Sequence, residues 1–382
     1  MTGLLEERFH RNFEEGGELG ASLSVWKDGT EVVSLHHGWK DAQRSEPWSA
    51  DTLVPVWSAT KGPAAIAFLL ALEEAGLSPH DPVAKVWPEL LAARESRLTF
   101  AQLLSHQSGL PALSPENRPH LLSHTEVVAA LERQRPYWEP GRGHGYHPRT
   151  IGFLLDEVVR RSTGGVTLGN YWNTRIAATL GLDFWIGNFP ARLLDRLATM
   201  VPPKIQRPTE EEIPFYREMA KPDSLALAAF ASPSGMRALS EINKLEILQA
   251  GMPAFGGVGT ARALAKFYQI LARDGEWDGV QVLPSRVVRT AQTTLVNGDD
   301  RTLLLPTAFT GGFMTDPRGE DGKKARTLFG PSFTAFGQPG AGGSHAFADP
   351  ENGYSFAYVM NQMEGGVLPN RKSLDLVEVL YS

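Results

Sequence analysis

Strand-like runs lie at both ends of this chain of 382 residues and are sparse between them. Near the start, residues 21–26 and 30–35 flank a Lys-Asp-Gly turn, and Asp-Gly between two β-rich runs is a strong hairpin signal. Near the end, the β-like runs are residues 333–337, 344–348 and 354–360. Because a strand needs a neighbouring strand to satisfy its backbone, we predict that both chain ends contribute to one sheet.

The segment from about residue 80 to 250 is mostly helical in pattern, with proline-rich breaks. Amphipathic or buried helices are predicted at residues 3–16, 62–75, 99–104, 125–133, 150–162, 260–272 and 370–380. Residues 200–235 are rich in proline and charge, which indicates a long surface excursion. We therefore expect an α/β domain made of residues 1–80 and 250–382, and a mainly helical insertion domain of residues 81–249.

Charge and cysteine content exclude several classes of protein. The net charge is -6 at pH 7, whereas nucleic-acid binders usually have a basic balance. The chain has no cysteine, which rules out disulfides, thiolate catalysis and cysteine metal sites. It also lacks a His-Glu-x-x-His zinc motif, a Walker loop and a dinucleotide glycine fingerprint. We expect no metal and no cofactor.

The N-terminal sequence lacks a basic start followed by an apolar run, so no secretory signal is visible. The most apolar stretch, residues 64–72, is far too short to cross a bilayer. A cytoplasmic protein without a membrane partner is expected, and the sequence does not predict its oligomeric state.

Ser58 and Lys61 are the strongest pair of catalytic candidates. They lie three residues apart at the start of a predicted helix, so they share one face of it. A serine hydroxyl is a poor nucleophile until its proton is removed, and a nearby cation and the positive end of a helix both favour the alkoxide. Alone, the pattern also fits an N-cap serine followed by a solvated lysine, so it needs support from the rest of the chain.

That support comes from a resemblance to the serine β-lactamase and penicillin-binding-protein superfamily, which extends along nearly the whole chain. The matching segments, in order, are residues 51–62 around Ser58, 103–110, 138–141 leading to Tyr146, 256–262 and 337–344. Their order and spacing most resemble the class C-like carboxylesterases, often called family VIII. The resemblance implies an α/β fold with an antiparallel sheet flanked by helices and an all-helical insertion, with Ser58 at the junction of the two lobes.

In that branch the second motif is Tyr-x-Asn or a variant, and here it reads Tyr146-His147-Pro148. The resemblance gives Tyr146 the role of proton carrier, while Pro148 departs from the lactamase pattern. A free tyrosine has a pKa of about 10, and an adjacent ammonium lowers that pKa. We therefore expect Lys61 to keep Tyr146 partly ionised, so that it takes the Ser58 proton and later passes one to the leaving alcohol. His147 is a candidate substrate contact.

The third motif in lactamases is Lys-Thr-Gly, and here it reads Gln338-Pro339-Gly340. Gly340 is expected to let substrate approach the strand closely, and the N–H groups of Ser58 and Ala341 are expected to form the oxyanion hole. The lactamase lysine faces a substrate carboxylate. Because Gln338 is neutral, the third motif argues against penicillins and favours neutral substrates.

The resemblance and the residues together predict a serine carboxylesterase that hydrolyses small, short-acyl esters through an acyl-Ser58 intermediate. The preference for short acyl groups is a property of the branch. Three alternatives stay open: a β-lactamase or D-amino-acid peptidase, an acyltransferase, and a catalytically inactive binding protein with this fold.

Overall fold

The computed structural model describes residues 2–204 and 208–382. Its strands are β1 (Gly20–Lys27), β2 (Thr30–Gly38), β3 (Val54–Pro55), β4 (Phe184–Ile186), β5 (Gly257–Gly259), β6 (Glu276–Trp277), β7 (Val280–Gln281), β8 (Val296–Asp299), β9 (Pro306–Phe309), β10 (Met314–Thr315), β11 (Phe336–Pro339), β12 (His345–Asp349) and β13 (Tyr354–Met360). Its α-helices are α1 (Thr2–Glu14), α2 (Lys61–Glu74), α3 (Leu91–Arg94), α4 (Phe100–Leu104), α5 (His124–Arg133), α6 (Thr150–Ser162), α7 (Leu168–Tyr171), α8 (Ala178–Leu180), α9 (Ile213–Met219), α10 (Leu225–Ala231), α11 (Leu245–Ala250), α12 (Ala261–Ala272), α13 (Ser285–Gln292) and α14 (Arg371–Leu380). Short 3-10 turns lie at Ser58–Thr60, Val83–Lys85, Ala191–Arg196, Glu210–Glu212 and Leu239–Asn243, and a π-helical segment at Trp172–Ala177 joins α7 to α8.

Both chain ends contribute to one antiparallel sheet, as the sequence predicts. Within the described residues the sheet has eight strands in the order β2-β1-β13-β12-β11-β10-β9-β8. The N-terminal hairpin joins the C-terminal strands through β1 and β13, where Ala21 pairs with Met360 and Lys27 with Tyr354. Helix α12 packs on β1, β12 and β13, and α1 packs against α14. The fold is the expected α/β arrangement of an antiparallel sheet flanked by helices.

Strand β11 begins later than the sequence pattern suggests. The β-like run at 333–337 predicts a strand from Phe333, whereas the strand is Phe336–Pro339 and Phe333 is exposed outside it. An aromatic residue in a turn raises the apparent strand propensity without being part of the ladder.

A second, three-stranded sheet holds the segment that leads into Ser58. Its order is β3-β5-β4, with Val54 and Phe184 both paired to Gly259 of the central strand. Because β4 comes from the middle of the chain and β5 from the C-terminal part, this sheet joins the two regions beside the start of α2. The division into residues 1–80 with 250–382 and residues 81–249 stays a prediction.

The interpretation of residues 200–235 as a long surface excursion is wrong for residues 213–231. Helices α9 and α10 form there, Phe215 is buried, and its ring lies 5.4 Å from that of Phe230. Residues 205–207 of this stretch lie outside the described residues. In the part of the chain that the structure describes, no helix is both long and apolar enough to cross a membrane.

Candidate active site

Ser58 opens a 3-10 turn that continues directly into α2. The preceding residue, Trp57, has a φ of 50°, in the left-handed region that favours glycine. Hydrogen bonds fix the chain on both sides of this turn: the Val56 N–H donates to the Gly257 carbonyl (2.9 Å), and the Gly257 N–H donates to Thr60 Oγ1 (2.8 Å). Backbone strain of this kind persists only where the surroundings determine it, and it is concentrated at functional sites. Here it presents the half-buried Ser58 to a cleft.

Lys61 is buried beside Ser58, with 4% of its surface exposed. Its Nζ lies 3.1 Å from Ser58 Oγ and donates to the carbonyl oxygens of Ala254 (2.8 Å) and Pro148 (3.2 Å). Burial lowers the pKa of Lys61 well below its usual range. A neutral amine has two N–H donors and one lone pair, which matches two carbonyl acceptors and one hydroxyl. The arrangement therefore suits an amine that accepts the Ser58 proton.

Tyr146 is the third member of the cluster. Its ring stacks on Phe309 at 6.2 Å and lies 4.7 Å from Lys61 Nζ. Burial raises the pKa of Tyr146; a side-chain hydrogen bond with Ser58 acts in the opposite direction, and the charge of Asp300 raises it further. The expectation that Lys61 keeps Tyr146 partly ionised is therefore wrong in direction, because burial favours the neutral form of both groups.

Asp300 holds the backbone at Tyr146, although sequence reasoning did not select it. It is buried, and its carboxylate accepts the Tyr146 N–H on both oxygens at 3.0 Å. It also accepts the N–H groups of Thr302 and Leu303 (both 2.8 Å) and the Thr307 hydroxyl (3.0 Å). Several N–H and O–H donors satisfy a buried carboxylate without a cation. Because 154 residues separate Asp300 from Tyr146, no local motif connects them.

Ser58 and Ala341 line the same cleft. Ala341 follows β11 in a tight turn that is closed by the Gly340 N–H donating to the Ser344 carbonyl at 2.6 Å. Among the described residues, the Ala341 N–H donates no hydrogen bond to a backbone carbonyl. The pairing of Ser58 with Ala341 as an oxyanion hole remains a proposal.

The sequence matches the Beta-lactamase protein family over residues 6–379. The chain belongs to this family. Its curated relatives include the esterase/beta-lactamase LipL of Mycobacterium tuberculosis (strain ATCC 25618 / H37Rv), 32% identical over 353 residues that cover 90% of this chain and 77% of LipL. This assignment confirms the resemblance drawn from the sequence.

Solved structures of similar proteins agree with the family assignment. A penicillin-binding-protein homologue from Caulobacter crescentus superposes with a TM-score of 0.85 and 34% identity, covering 99% of this chain and 96% of the other. A family VIII carboxylesterase superposes with a TM-score of 0.84 and 31% identity over the same shares of the two chains. The chain therefore has the serine β-lactamase-like fold of the Beta-lactamase family, whose members include hydrolases.

In this member of the Beta-lactamase family, the residues of the third motif, Gln338-Pro339-Gly340, do not have the substrate-facing positions expected from the sequence. Gln338 is only 2% exposed, and its amide donates to the Pro339 carbonyl at 3.2 Å. Its side chain is not part of the cleft lining, so the assignment of Gln338 as a substrate contact is not supported. A Cβ atom at Gly340 would lie 2.1 Å from the Val56 carbonyl oxygen. Close packing against the segment before Ser58, rather than approach of substrate, therefore explains this glycine.

His147 is also not a substrate contact. It is completely buried; Nδ1 donates to the Gly145 carbonyl at 2.6 Å, and Nε2 lies 2.8 Å from Ser108 Oγ and 3.2 Å from the Leu110 nitrogen. Burial lowers the pKa of His147 to about 3, so the ring is neutral. Both ring nitrogens are used within the protein, and His147 supports the loop that carries Tyr146.

Proposed function

We propose that the chain is a serine carboxylesterase that acts through an acyl-Ser58 intermediate. The observation that carries the proposal is the position of the buried Lys61 amine, 3.1 Å from Ser58 Oγ and held by two carbonyl oxygens. A nucleophile beside a base that other groups hold in place is the arrangement that covalent catalysis requires. The relationship to LipL and to a family VIII carboxylesterase supports an ester as the substrate.

Acylation would begin with transfer of the Ser58 proton to the neutral Lys61 amine as Oγ attacks the ester carbonyl. The N–H groups of Ser58 and Ala341 would stabilise the negative charge that forms on the carbonyl oxygen. Tyr146, neutral and hydrogen-bonded to Ser58, would pass a proton to the leaving alkoxide and recover one from the Lys61 ammonium. The Oγ–carbon bond forms, the carbon–alkoxide bond breaks, and the alcohol leaves protonated.

Deacylation would follow the same path in reverse, with water in place of the alcohol. Water would give its proton through Tyr146 to the neutral Lys61, and the hydroxide would attack the acyl carbon. The bond between the acyl carbon and Ser58 Oγ breaks, the acid is released, and the Ser58 alkoxide regains its proton from the Lys61 ammonium. If another alcohol enters instead of water, the same steps give acyl transfer, so the choice between hydrolysis and transfer depends on the acceptor.

Neutral esters are the proposed substrates, rather than β-lactams. The lysine that would face a lactam carboxylate is replaced by Gln338, whose amide is turned towards the Pro339 carbonyl. A charge-assisted hydrogen bond is roughly twice as strong as a neutral one, so its absence weakens recognition of an anionic substrate. We propose a small-molecule ester as the partner of the site, and neither a nucleic acid nor a membrane.

The test combines labelling of the nucleophile with a substrate panel. A fluorophosphonate should give one adduct by intact mass, and peptide mapping should place it on Ser58. No adduct would favour an inactive binding protein, and an adduct on Ser108 or Ser344 would overturn the choice of nucleophile.

The panel compares kcat/KM for p-nitrophenyl butyrate and nitrocefin. The ester should be hydrolysed faster by a wide margin. Equal rates would replace the esterase proposal with a β-lactamase one.

A further inference from the structure

The cleft in front of Ser58 is larger than a short acyl group requires. Its volume is about 420 Å³, within the range of about 300–1,000 Å³ typical of pockets for drug-sized ligands. Aromatic rings and thioether side chains account for much of its lining: Trp57, Phe215, Phe230, Phe255, Met219 and Met236.

Protein groups or solvent already satisfy the charged side chains of this lining. The Arg149 guanidinium donates to carbonyl oxygens of residues 233–236 at distances between 2.9 and 3.1 Å. Glu364 pairs with Lys372 at 3.0 Å, and Arg237 is exposed to solvent. No ion of either sign is therefore left buried in the cleft without a partner, among the residues that the structure describes. The surface that remains for a substrate is mainly apolar.

Hydrogen bonds between separate segments hold the apolar wall in place. The Gly366 N–H donates to the Tyr216 hydroxyl of α9 at 2.9 Å. Glu212, buried just before α9, accepts the N–H groups of Val367 (2.6 Å) and Leu368 (3.2 Å). A wall that is fixed before binding does not have to be ordered by the substrate, which lowers the cost of binding.

We propose that the preferred substrates are uncharged esters that carry a bulky apolar ring on the acyl or the alcohol side. The inference rests on the proposed esterase function and names its substrate class. Removing a ring from water into this cleft adds binding free energy in proportion to the apolar area buried. Rings pack favourably against Phe215 and Phe230, and methionine side chains such as Met219 adapt to the shape of the ligand.

Two matched pairs of esters test the proposal. On the acyl side, kcat/KM is compared for p-nitrophenyl butyrate and p-nitrophenyl 4-phenylbutyrate. On the alcohol side, methyl butyrate and 3-phenylpropyl butyrate are compared by pH-stat titration. We expect the ring-bearing ester to be favoured by about 10-fold or more in at least one pair, since a single methylene in an apolar pocket already gives about 10–200-fold.

Variants of the cleft wall locate the effect. Phe230→Ala and Met219→Ala, both at half-buried positions of the lining, should bring the ratio within the favoured pair towards one. Leu245→Ala truncates an exposed leucine outside the cleft and should leave the ratio unchanged.

The outcomes separate the two proposals. Butyrate hydrolysis with Ser58 labelling, but with no preference for a ring in either pair, overturns the inference and leaves the esterase proposal standing. A ring preference that survives both wall substitutions also overturns it. If no ester is hydrolysed and Ser58 is not labelled, both proposals fail.

Discussion

At the scale of single residues, the proton chemistry is divided between two buried groups that face one hydroxyl. Burial stabilises the uncharged form of each, so it favours a free lone pair on Lys61 and a retained proton on Tyr146. A base must lack a proton and an acid must carry one, and these are the forms that the surroundings favour. Lys61 therefore fits the base and Tyr146 the acid in the acylation step.

We expect Lys61→Arg to reduce kcat/KM by about 10²–10⁴-fold, because a guanidinium keeps the positive charge but cannot accept a proton. Burial lowers the pKa of Lys61. In the wild-type enzyme, the neutral amine therefore persists well below the usual lysine range, and kcat/KM should fall as the pH drops through that lowered pKa.

The check is a pH profile of kcat/KM for both proteins. Lys266→Arg is a suitable control, since Lys266 also donates to a carbonyl oxygen, that of Leu180, and does not line the cleft. A Lys61→Arg enzyme with near-normal turnover would show that another group removes the Ser58 proton.

Tyr146→Phe should impair alkyl esters more than p-nitrophenyl esters. An alkoxide needs a proton to leave, whereas p-nitrophenolate leaves without one. The ring should keep its stacking on Phe309, so the fold should be unaffected. We expect a loss of about 10²–10⁴-fold in kcat for methyl butyrate and a smaller loss for p-nitrophenyl butyrate.

Both rates are measured with circular dichroism as a check on folding, and with Tyr137→Phe, at an exposed position, as the control. Equal losses for the two esters would argue against a role for Tyr146 in protonating the leaving group.

At the scale of elements, local patterns predicted the pairing of the chain ends and seven of the fourteen α-helices of the described residues, including all those of ten residues or more. Ser58 and Lys61 could be identified from the sequence because residues three positions apart on a helix are neighbours in space. The orientations of the Gln338 and His147 side chains could not be predicted from the sequence, because they depend on the residues that pack against them. Helices α9 and α10 were missed for another reason: proline and charge around residues 200–235 resemble a loop, although Pro214 lies in the first turn of α9, where proline is tolerated.

The turn between β8 and β9 is an element whose role became visible only in the folded chain. The Asp300→Ala substitution would remove the acceptor for the Tyr146, Thr302 and Leu303 N–H groups. A displacement of about 1 Å in an active site can cost about 10²-fold in rate. We expect a loss of that order in kcat with little change in KM, and partial recovery in Asp300→Asn, which retains one acceptor oxygen.

The neighbouring Asp299 is exposed, so Asp299→Ala is the matched control and should behave as wild type. Steady-state kinetics on the three variants would decide the matter. A purely structural role predicts lower stability with unchanged kcat in the folded fraction, and that result would remove Asp300 from the positioning of Tyr146.

At the scale of the whole molecule, the buried Lys372 connects the chain ends to the cleft through two ion pairs. Lys372 of α14 pairs with Glu18, which follows α1, at 3.2 Å, and with Glu364 of the cleft lining at 3.0 Å. Tyr358 of β13 donates to the same Glu18 carboxylate at 2.7 Å. The N-terminal and C-terminal segments are thus joined by charge as well as by packing.

Lys372→Met should lower the free energy of unfolding by about 3–5 kcal/mol, because it leaves the buried Glu18 carboxylate without its cation. Arg371→Met, at the preceding exposed position, removes surface ion pairs with Asp375 and Glu378 and should change stability little. Urea denaturation of both variants tests the difference. Equal stability losses would mean that the buried pair contributes no more than the exposed one.

The pairing of β1 with β13 has a consequence for synthesis on the ribosome. The first hairpin emerges early, yet the neighbour of β1 is translated only near the end of the chain. Until then the nascent chain carries an unpaired β1 edge, which is a template for wrong pairing with other strands. Contacts between residues so far apart in sequence also form slowly. Premature termination before β13 would therefore leave the central sheet without its middle, and Ser58 without the packed scaffold that supports it.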